Sequence, residues 1–228
     1  GFGVLFVRRQ LRRPQPMLDV RLFRNPTFSG ALLVNLLSVV GLVGFLFFAA
    51  QYLQLILGLS PMNAGFALVP GLAAMIAAGL LVVPIARRVA PRIVVPIALL
   101  FSVGGYVAVS RMGEGGSLLL LVIAFVSLGI GIGAAETVSN ELVLASAPPA
   151  KAGAASAVSE TAYELGAVLG TAVLGGILTA LYRANLVVPD GIAGESAMAA
   201  RETLAGASQV AANVDPSLAA ALTDDAGT

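Results

Sequence analysis

The sequence contains no cysteine and no histidine among its 228 residues, and only 11% of its residues are charged. Without cysteine, disulfides and thiol chemistry are excluded. Without histidine, the chain lacks the commonest metal ligand and the usual proton relay near neutral pH, so any proton chemistry falls to carboxylates. Soluble domains average about 25% charged residues, so this surface cannot face water everywhere.

Apolar residues dominate what is present. They make up 58% of the chain, and the mean hydropathy is +0.94. They collect into five long blocks, at 28–57, 62–86, 92–112, 117–146 and 152–182. A helix needs about 20 apolar residues to cross the hydrocarbon layer of a bilayer, and the sequence has no alternating barrel pattern. The sequence therefore predicts an all-α membrane protein with five full spans between residues 28 and 183.

Basic residues indicate which ends of the spans face the cytoplasm. If residues 8–27 form a cytoplasmic basic loop, ten of the 13 basic residues lie inside and three lie outside. This asymmetry follows the positive-inside bias of membrane proteins. The inner residues are Arg8, Arg9, Arg12, Arg13, Arg21, Arg24, Arg87, Arg88, Arg92 and Lys151, and the outer ones are Arg111, Arg183 and Arg201. We therefore place residues 184–228 on the outer side.

Both ends of the sequence have their own patterns. Residues 1–7 are apolar and run directly into two arginines, the reverse of the order in a secretory signal, so we interpret them as the end of a preceding transmembrane helix. Residues 184–228 carry charges too often for a span. The Ala-rich stretch 194–212 and the helix start at 215–216 predict an extracellular helical hairpin there. A disordered Ala/Gly linker is the alternative.

Four glutamates fall inside the predicted spans. Glu136 and Glu141 lie in the fourth, and Glu160 and Glu164 in the fifth. An ionisable group inside a span costs about 2.5–3.5 kcal/mol by insertion scales and usually marks function. No basic residue lies within a span to pair with them. Because Glu160 and Glu164 share a helix face and repel, we expect at least one carboxylate to hold a proton near neutral pH.

Such carboxylates suit a transporter that exchanges protons for a cation. The fourth and fifth spans are joined only by residues 148–151, so we expect an antiparallel pair with Glu136 and Glu160 at similar depth. Tyr163, beside them, offers an aromatic face to a cation. The alternative is that the glutamates are protonated and hydrogen-bonded between helices. For Glu141, which is nearest the cytoplasm, that structural role is the expected one.

Uncharged polar residues and glycines in the spans give weaker signals. Asn35 could face a cavity, and Gln51 and Gln54 lie toward the outer end of the first span. A single Asn or Gln in a span is as often a contact between helices as a ligand contact. The glycines at 129, 131 and 133 resemble a nucleotide loop only superficially, because they lie mid-span with no preceding strand. We expect them to allow close helix approach.

Three segments carry a family resemblance. Residues 50–65, followed by Pro70, resemble the fourteen-helix drug:proton antiporters of the major facilitator superfamily. The loop 86–92 is similar to the C-terminal copy of that superfamily's short basic motif, although it lacks the usual acidic residue. Residues 159–166, followed by Gly170, are similar to the acidic motif in the penultimate helix of the QacA-, SmvA-, LfrA- and EmrB-like exporters.

The resemblance implies a C-terminal helical bundle of such a transporter, from the end of helix 8 through helices 9 to 13. It implies a proton-coupled multidrug antiporter of the bacterial inner membrane that exports lipophilic cations, dyes and antiseptic or antibiotic drugs. Glu160 and Glu164 match positions implicated in cation recognition and proton coupling. The proton gradient takes the place of a cofactor, and the N-terminal half of the same transporter and the lipid bilayer are the expected partners. No nucleic-acid partner is expected.

Two other functions remain open at this point. A facilitator for a defined nutrient or osmolyte would be expected to carry fixed hydrogen-bonding residues or a basic group in its spans, and the basic group is missing. A membrane scaffold or sensor without transport would not need the unpaired carboxylates. An enzyme is not expected, because the sequence shows no nucleophile–base set and no cluster of metal ligands.

Overall fold

The computed structural model describes residues 20–112 and 117–177, together with residues 180, 196 and 210. Within these residues the chain is helical and has no strand, which confirms the all-α prediction. The chain divides into two compact units, Gly1–Gly170 and Thr171–Thr228. The described part of the first unit holds five α-helices: α1 (Pro26–Gln51), α2 (Pro61–Ala86), α3 (Pro91–Ser110), α4 (Leu118–Ala145) and α5 (Ala152–Leu169).

The helix starts follow from local sequence signals. Proline occupies the start of α1, α2 and α3, where its missing N–H costs nothing. Asn25 Oδ1 accepts a hydrogen bond from the Thr27 N–H at 3.0 Å, and Ser60 Oγ accepts one from Asn63 N–H at 3.3 Å. Ser117 Oγ caps α4 in the same way. These caps satisfy N–H groups that have no partner inside the helix.

Four of the described helices are long and apolar enough to cross a membrane: Pro26–Ile56, Pro61–Ala86, Pro91–Ser110 and Leu118–Ala145. They agree with the first four predicted spans to within two residues at each end. The first includes a π-helical turn, Tyr52–Ile56, directly after α1.

The fifth predicted span is only partly described. The helix α5 begins at Ala152, as predicted, but it has 18 residues and is less apolar than the other four. A π-helical turn, Gly170–Leu174, follows it along the chain. Of residues 178–182 only 180 is described. The helix end predicted at 1–7, most of the basic loop and nearly all of the outer hairpin lie outside the described residues.

The helix α4 lies at the centre of the first unit, where it packs against α1, α2 and α3. Its glycines make this possible. A Cβ at Gly129 or Gly133 would collide with the backbone of α2, and one at Gly131 would collide with α3. The prediction that these glycines allow close helix approach is therefore confirmed. Toward the N-terminal end of α4, Phe125 stacks on Phe45 of α1, with ring centroids 4.8 Å apart.

The helix α5 packs mainly on α1, through two glycines. A Cβ at Gly166 would lie 2.9 Å from the Leu36 carbonyl oxygen, and one at Gly170 would lie 2.8 Å from that of Val40. Contact between α4 and α5 is less extensive than the expected antiparallel pair, because α5 packs chiefly on α1 whereas α4 packs chiefly on α2 and α3. Among the described residues, a hydrogen bond from Ser159 Oγ to Asn140 Oδ1 at 3.1 Å joins them directly.

Candidate functional site

A groove of about 480 Å³ opens between α2, α4 and α5. The helix α2 supplies an apolar wall, α4 supplies the polar side, and α5 contributes one tyrosine. The lining residues are Met75, Ile76, Gly79, Leu80, Val83, Gly133, Glu136, Thr137, Asn140 and Tyr163. Ligand sites usually have this composition, mostly apolar walls with a few convergent polar groups.

Glu136 is the only carboxylate among the described residues that line this groove. Its side chain is half-buried, and Oε1 is enclosed without a hydrogen-bond partner in the described part of the chain. The described lining includes no basic residue. A buried carboxylate oxygen without a partner is costly, so its presence here calls for a functional explanation. The groove supplies one, because a proton or a cation could reach this oxygen.

Glycines on two helices create the space beside Glu136. Gly79 of α2 faces Gly133 of α4, and a Cβ on Gly79 would lie 3.0 Å from Thr137 Oγ1. The Thr137 hydroxyl donates to the Gly133 carbonyl oxygen at 2.8 Å, within its own helix. Larger residues at either glycine would therefore narrow the groove where the carboxylate lies.

Tyr163 brings α5 into the site. Its ring is half-buried in the groove, and its hydroxyl lies within electrostatic range of both Glu136 and Glu160. A cation in the groove could therefore contact a carboxylate and an aromatic face together. The hydrogen bond between Ser159 and Asn140 holds α5 against α4 beside this arrangement.

Glu160 and Glu164 occupy a different surface from the groove lining. Both side chains are exposed on the described chain, one helical turn apart. The opposite side of α5, with Ala162 and Gly166, is buried. The pair therefore shares a face as predicted. That this face borders a central cavity stays a prediction.

The three uncharged candidates lie apart from the groove. Asn35 is fully buried, and neither of its side-chain polar atoms has a hydrogen-bond partner among the described residues. Gln51 is half-buried at the end of α1, beside the π-helical turn. Gln54 is exposed, and its Nε2 donates to the Ala50 carbonyl oxygen at 3.2 Å. Their predicted roles in binding are not tested by these positions.

Among the small and polar residues of the groove, sequence reasoning did not single out Gly79, Thr137 and Asn140. A usable signal existed for Asn140, because it lies four residues after Glu136 and so shares its helix face. Thr137 and Gly79 carry no comparable signal, since small and weakly polar residues are common throughout membrane helices.

Comparison with known proteins decides the family. The profile of the Major Facilitator Superfamily matches residues 4–171, about three-quarters of the chain. This chain belongs to the major facilitator superfamily. Together with the four span-length helices, the match makes it part of a multi-pass membrane protein, and the family resemblance seen in its motifs is confirmed.

Relatives within the superfamily are drug exporters and resistance proteins of bacteria. The chain is 48% identical over 224 residues to the multidrug efflux pump LfrA of Mycolicibacterium smegmatis, covering 98% of this chain and 44% of the relative. It is 30% identical over 228 residues to the methyl viologen resistance protein SmvA of Salmonella typhimurium, covering 97% and 45%. It is 31% identical over 187 residues to the puromycin resistance protein pur8 of Streptomyces alboniger, covering 80% and 37%.

The chain spans less than half the length of each of these relatives. The groove and its carboxylate are therefore features of one part of a transporter. The activity of the whole protein is therefore proposed.

Proposed function

We propose that the chain is the C-terminal part of a proton-coupled antiporter that exports lipophilic cations, dyes and antiseptic or antibiotic drugs. The observation that carries this proposal is the Glu136 carboxylate, which has an enclosed oxygen without a partner, in a mostly apolar groove whose described lining holds no basic residue. The names of the relatives support it, since one is a multidrug efflux pump and another confers resistance to methyl viologen, an organic dication.

The coupling follows from competition for one carboxylate. When Glu136 is protonated it is neutral and leaves the groove without a charge for a cation. When it releases the proton, its negative charge attracts a cationic drug, and the Tyr163 ring adds a second favourable contact. The walls formed by Met75, Ile76 and Leu80 accept the apolar body of such a drug. A cation and a proton would therefore occupy the site alternately, as exchange requires.

Glu160 and Glu164 extend the same chemistry along α5. Both are exposed. The Tyr163 hydroxyl lies within electrostatic range of Glu160 as well as of Glu136. We assign Glu160 to cation recognition and proton coupling together with Glu136, and Glu164 to a supporting role for some drugs. The N-terminal half of the transporter would complete the binding cavity, with the lipid bilayer surrounding both halves.

Ethidium efflux driven by a proton gradient tests this proposal. The full-length protein is reconstituted in vesicles, and Glu136→Gln and Glu160→Gln are compared with wild type. Glutamine keeps the shape and hydrogen bonding of glutamate but removes its titration. We expect both variants to insert and fold and to lose proton-driven efflux. Glu141→Gln is the matched control, because Glu141 lies on the same helix as Glu136, is exposed and does not line the groove.

The competing functions give different results in the same vesicles. Wild-type ethidium rates and an unchanged pH dependence in Glu136→Gln would show that this carboxylate does not couple. Gradient-independent movement of an uncharged nutrient or osmolyte would favour a facilitator. Vesicles that move no solute under any gradient would favour a scaffold or sensor.

A further inference from the structure

The two helices that carry the carboxylates meet over a limited area. Glu136 lies on α4 and Glu160 on α5, but α5 packs chiefly on α1, and α4 packs chiefly on α2 and α3. Among the described residues, the buried apolar packing that α4 and α5 share lies near the start of α5, where Val143 joins Ala155 and Val158 in one cluster. Apolar packing therefore fixes α5 relative to α4 at its first two turns and less beyond them.

Beyond those turns, a hydrogen bond from Ser159 Oγ to Asn140 Oδ1 at 3.1 Å joins the two helices. A hydroxyl inside a helix commonly bonds a carbonyl oxygen in the preceding turn of its own helix. Thr161, two residues later, does so, with its Oγ1 2.8 Å from the Ala157 carbonyl oxygen. Ser159 instead donates its hydroxyl across the interface between the helices.

This contact is interior to the helix bundle. Ser159 is 4% exposed and is not among the described residues that line the groove, whereas Asn140 is half-buried and lines it. Helices from the rest of the longer protein can only lower these exposures, so the contact does not require any outer face of this chain to be open. A hydrogen bond away from water is also stronger than one in competition with solvent. Ser159 can therefore affect a bound cation only by positioning other groups.

The two bonded side chains each lie one helical turn from a residue of the candidate site. Asn140 follows Glu136 by four residues, and Ser159 precedes Tyr163 by four residues, so each pair shares a helix face. The Tyr163 hydroxyl lies within electrostatic range of both Glu136 and Glu160. The hydrogen bond therefore joins the turn of α4 that follows the carboxylate to the turn of α5 that precedes the tyrosine.

We propose that Asn140 and Ser159 are positioning residues that hold Tyr163 beside Glu136 and thereby set the affinity for a cation. This inference rests on the proposed function, because the cation is the substrate of that function. With the hydrogen bond intact, a cation in the groove meets a carboxylate and an aromatic face together. Without it, α5 can shift relative to α4, and the cation keeps only the carboxylate.

Ethidium efflux by the full-length protein in vesicles measures the effect on affinity. Ser159→Ala removes the hydroxyl without adding atoms. We expect it to raise the KM for ethidium roughly three- to tenfold, the factor that a contact between a cation and an aromatic ring is worth, and to leave the maximal rate nearly unchanged. Ser159→Thr keeps a hydroxyl and should keep the wild-type KM. Thr161→Ala is the matched control, because that hydroxyl bonds its own helix, and its KM should not change.

A double variant tests whether Ser159 acts through Tyr163. Tyr163→Leu removes the aromatic face and should raise the KM for ethidium by itself. Adding Ser159→Ala should raise the KM no further, because the contact that the hydrogen bond positions is already lost. A second increase as large as that of Ser159→Ala alone would show that Ser159 acts in another way and would overturn the proposal.

A distance measurement tests the positioning itself, independently of transport. Spin labels at Leu144→Cys on α4 and Leu165→Cys on α5, both exposed on the described chain, report the separation of the helices in an otherwise cysteine-free full-length protein. We expect Ser159→Ala to broaden the distance distribution and Ser159→Thr to leave it as narrow as in wild type. If the added methyl group of Ser159→Thr lowers the unfolding midpoint, Asn140→Asp, which keeps an oxygen acceptor for the hydroxyl, takes its place.

The outcomes distinguish this inference from the proposed function. If the wild type moves no ethidium under a proton gradient, the proposed function fails, and the distance distributions alone decide the positioning role. If the wild type is active, an unchanged KM in Ser159→Ala would overturn the inference and leave the proposed function standing. The same distance distribution in wild type and Ser159→Ala would overturn it as well. An equal rise of KM in Thr161→Ala would do so too, because loss of any hydroxyl from α5 would then suffice.

Discussion

Replacing Gly133 by alanine should weaken the packing of α4 against α2 and so destabilise the protein. A Cβ at this position would lie 2.9 Å from the Met75 carbonyl carbon and would overlap the Met75 carbonyl oxygen. These atoms belong to the backbone of α2, so they cannot move aside as the end of a flexible side chain can. The helix α2 must therefore shift away from α4.

The size of the effect follows from two opposing contributions. Overpacking a close contact costs about 1–3 kcal/mol, and a backbone collision belongs at the upper end of that range. Alanine in place of a helical glycine contributes about 1 kcal/mol in the opposite direction. We therefore expect Gly133→Ala to lower the free energy of unfolding by about 2 kcal/mol.

Two further glycines calibrate this measurement. At Gly65 a Cβ meets nothing within 4 Å, so Gly65→Ala should stabilise the helix slightly. At Gly79 the new Cβ would lie 3.0 Å from the Thr137 hydroxyl oxygen, which can shift by a few tenths of an ångström, so an intermediate effect is expected. Reversible unfolding of the full-length protein in mixed micelles gives the three values. If Gly133→Ala is as stable as Gly65→Ala, the close contact between α2 and α4 is wrong.

Four other predictions concern topology, packing and the site. In an otherwise cysteine-free protein, a membrane-impermeant maleimide added outside intact cells should label Met112→Cys and not Arg88→Cys, and the reverse pattern would invert the topology. Phe125→Ala should lower the free energy of unfolding by about 3–5 kcal/mol, measured in the same micelles, because this 1% exposed ring is packed between α1, α2 and α4. Asn35→Leu should leave the unfolding free energy unchanged or raise it, since both polar atoms it removes are buried without partners; a loss of ethidium efflux in this variant would show instead that Asn35 acts in transport. Glu164→Gln should reduce ethidium efflux less than Glu160→Gln does, and equal losses would contradict the division of roles along α5.

The carboxylate and the tyrosine of the candidate site could be identified from the sequence. Glu136 stood out because an ionisable residue inside a span costs free energy, and Tyr163 stood out because it combines an aromatic ring with a polar hydroxyl beside the glutamates. Their convergence could not be predicted, because Glu136 is on α4 and Tyr163 is on α5. The sequence also favoured Glu160 and Glu164 over Glu136. Their i, i+4 spacing can be read directly from the sequence, whereas the packing of α2 beside Glu136 cannot.

The sequence by itself determined the fold class, the boundaries of the first four span-length helices and the presence of carboxylates within the apolar blocks. Long apolar blocks, prolines at helix starts and capping side chains are local signals, and each acts within one helix. Only the tertiary structure decided which helix each face meets. The spans are apolar on nearly all sides, so periodicity does not indicate a direction for any of them. Close contact between helices decided the direction of each face. Gly129 and Gly133 allow the backbone of α2 to approach α4, and Gly166 allows α5 to approach α1. That packing placed the Glu136 oxygen in the groove between α2, α4 and α5.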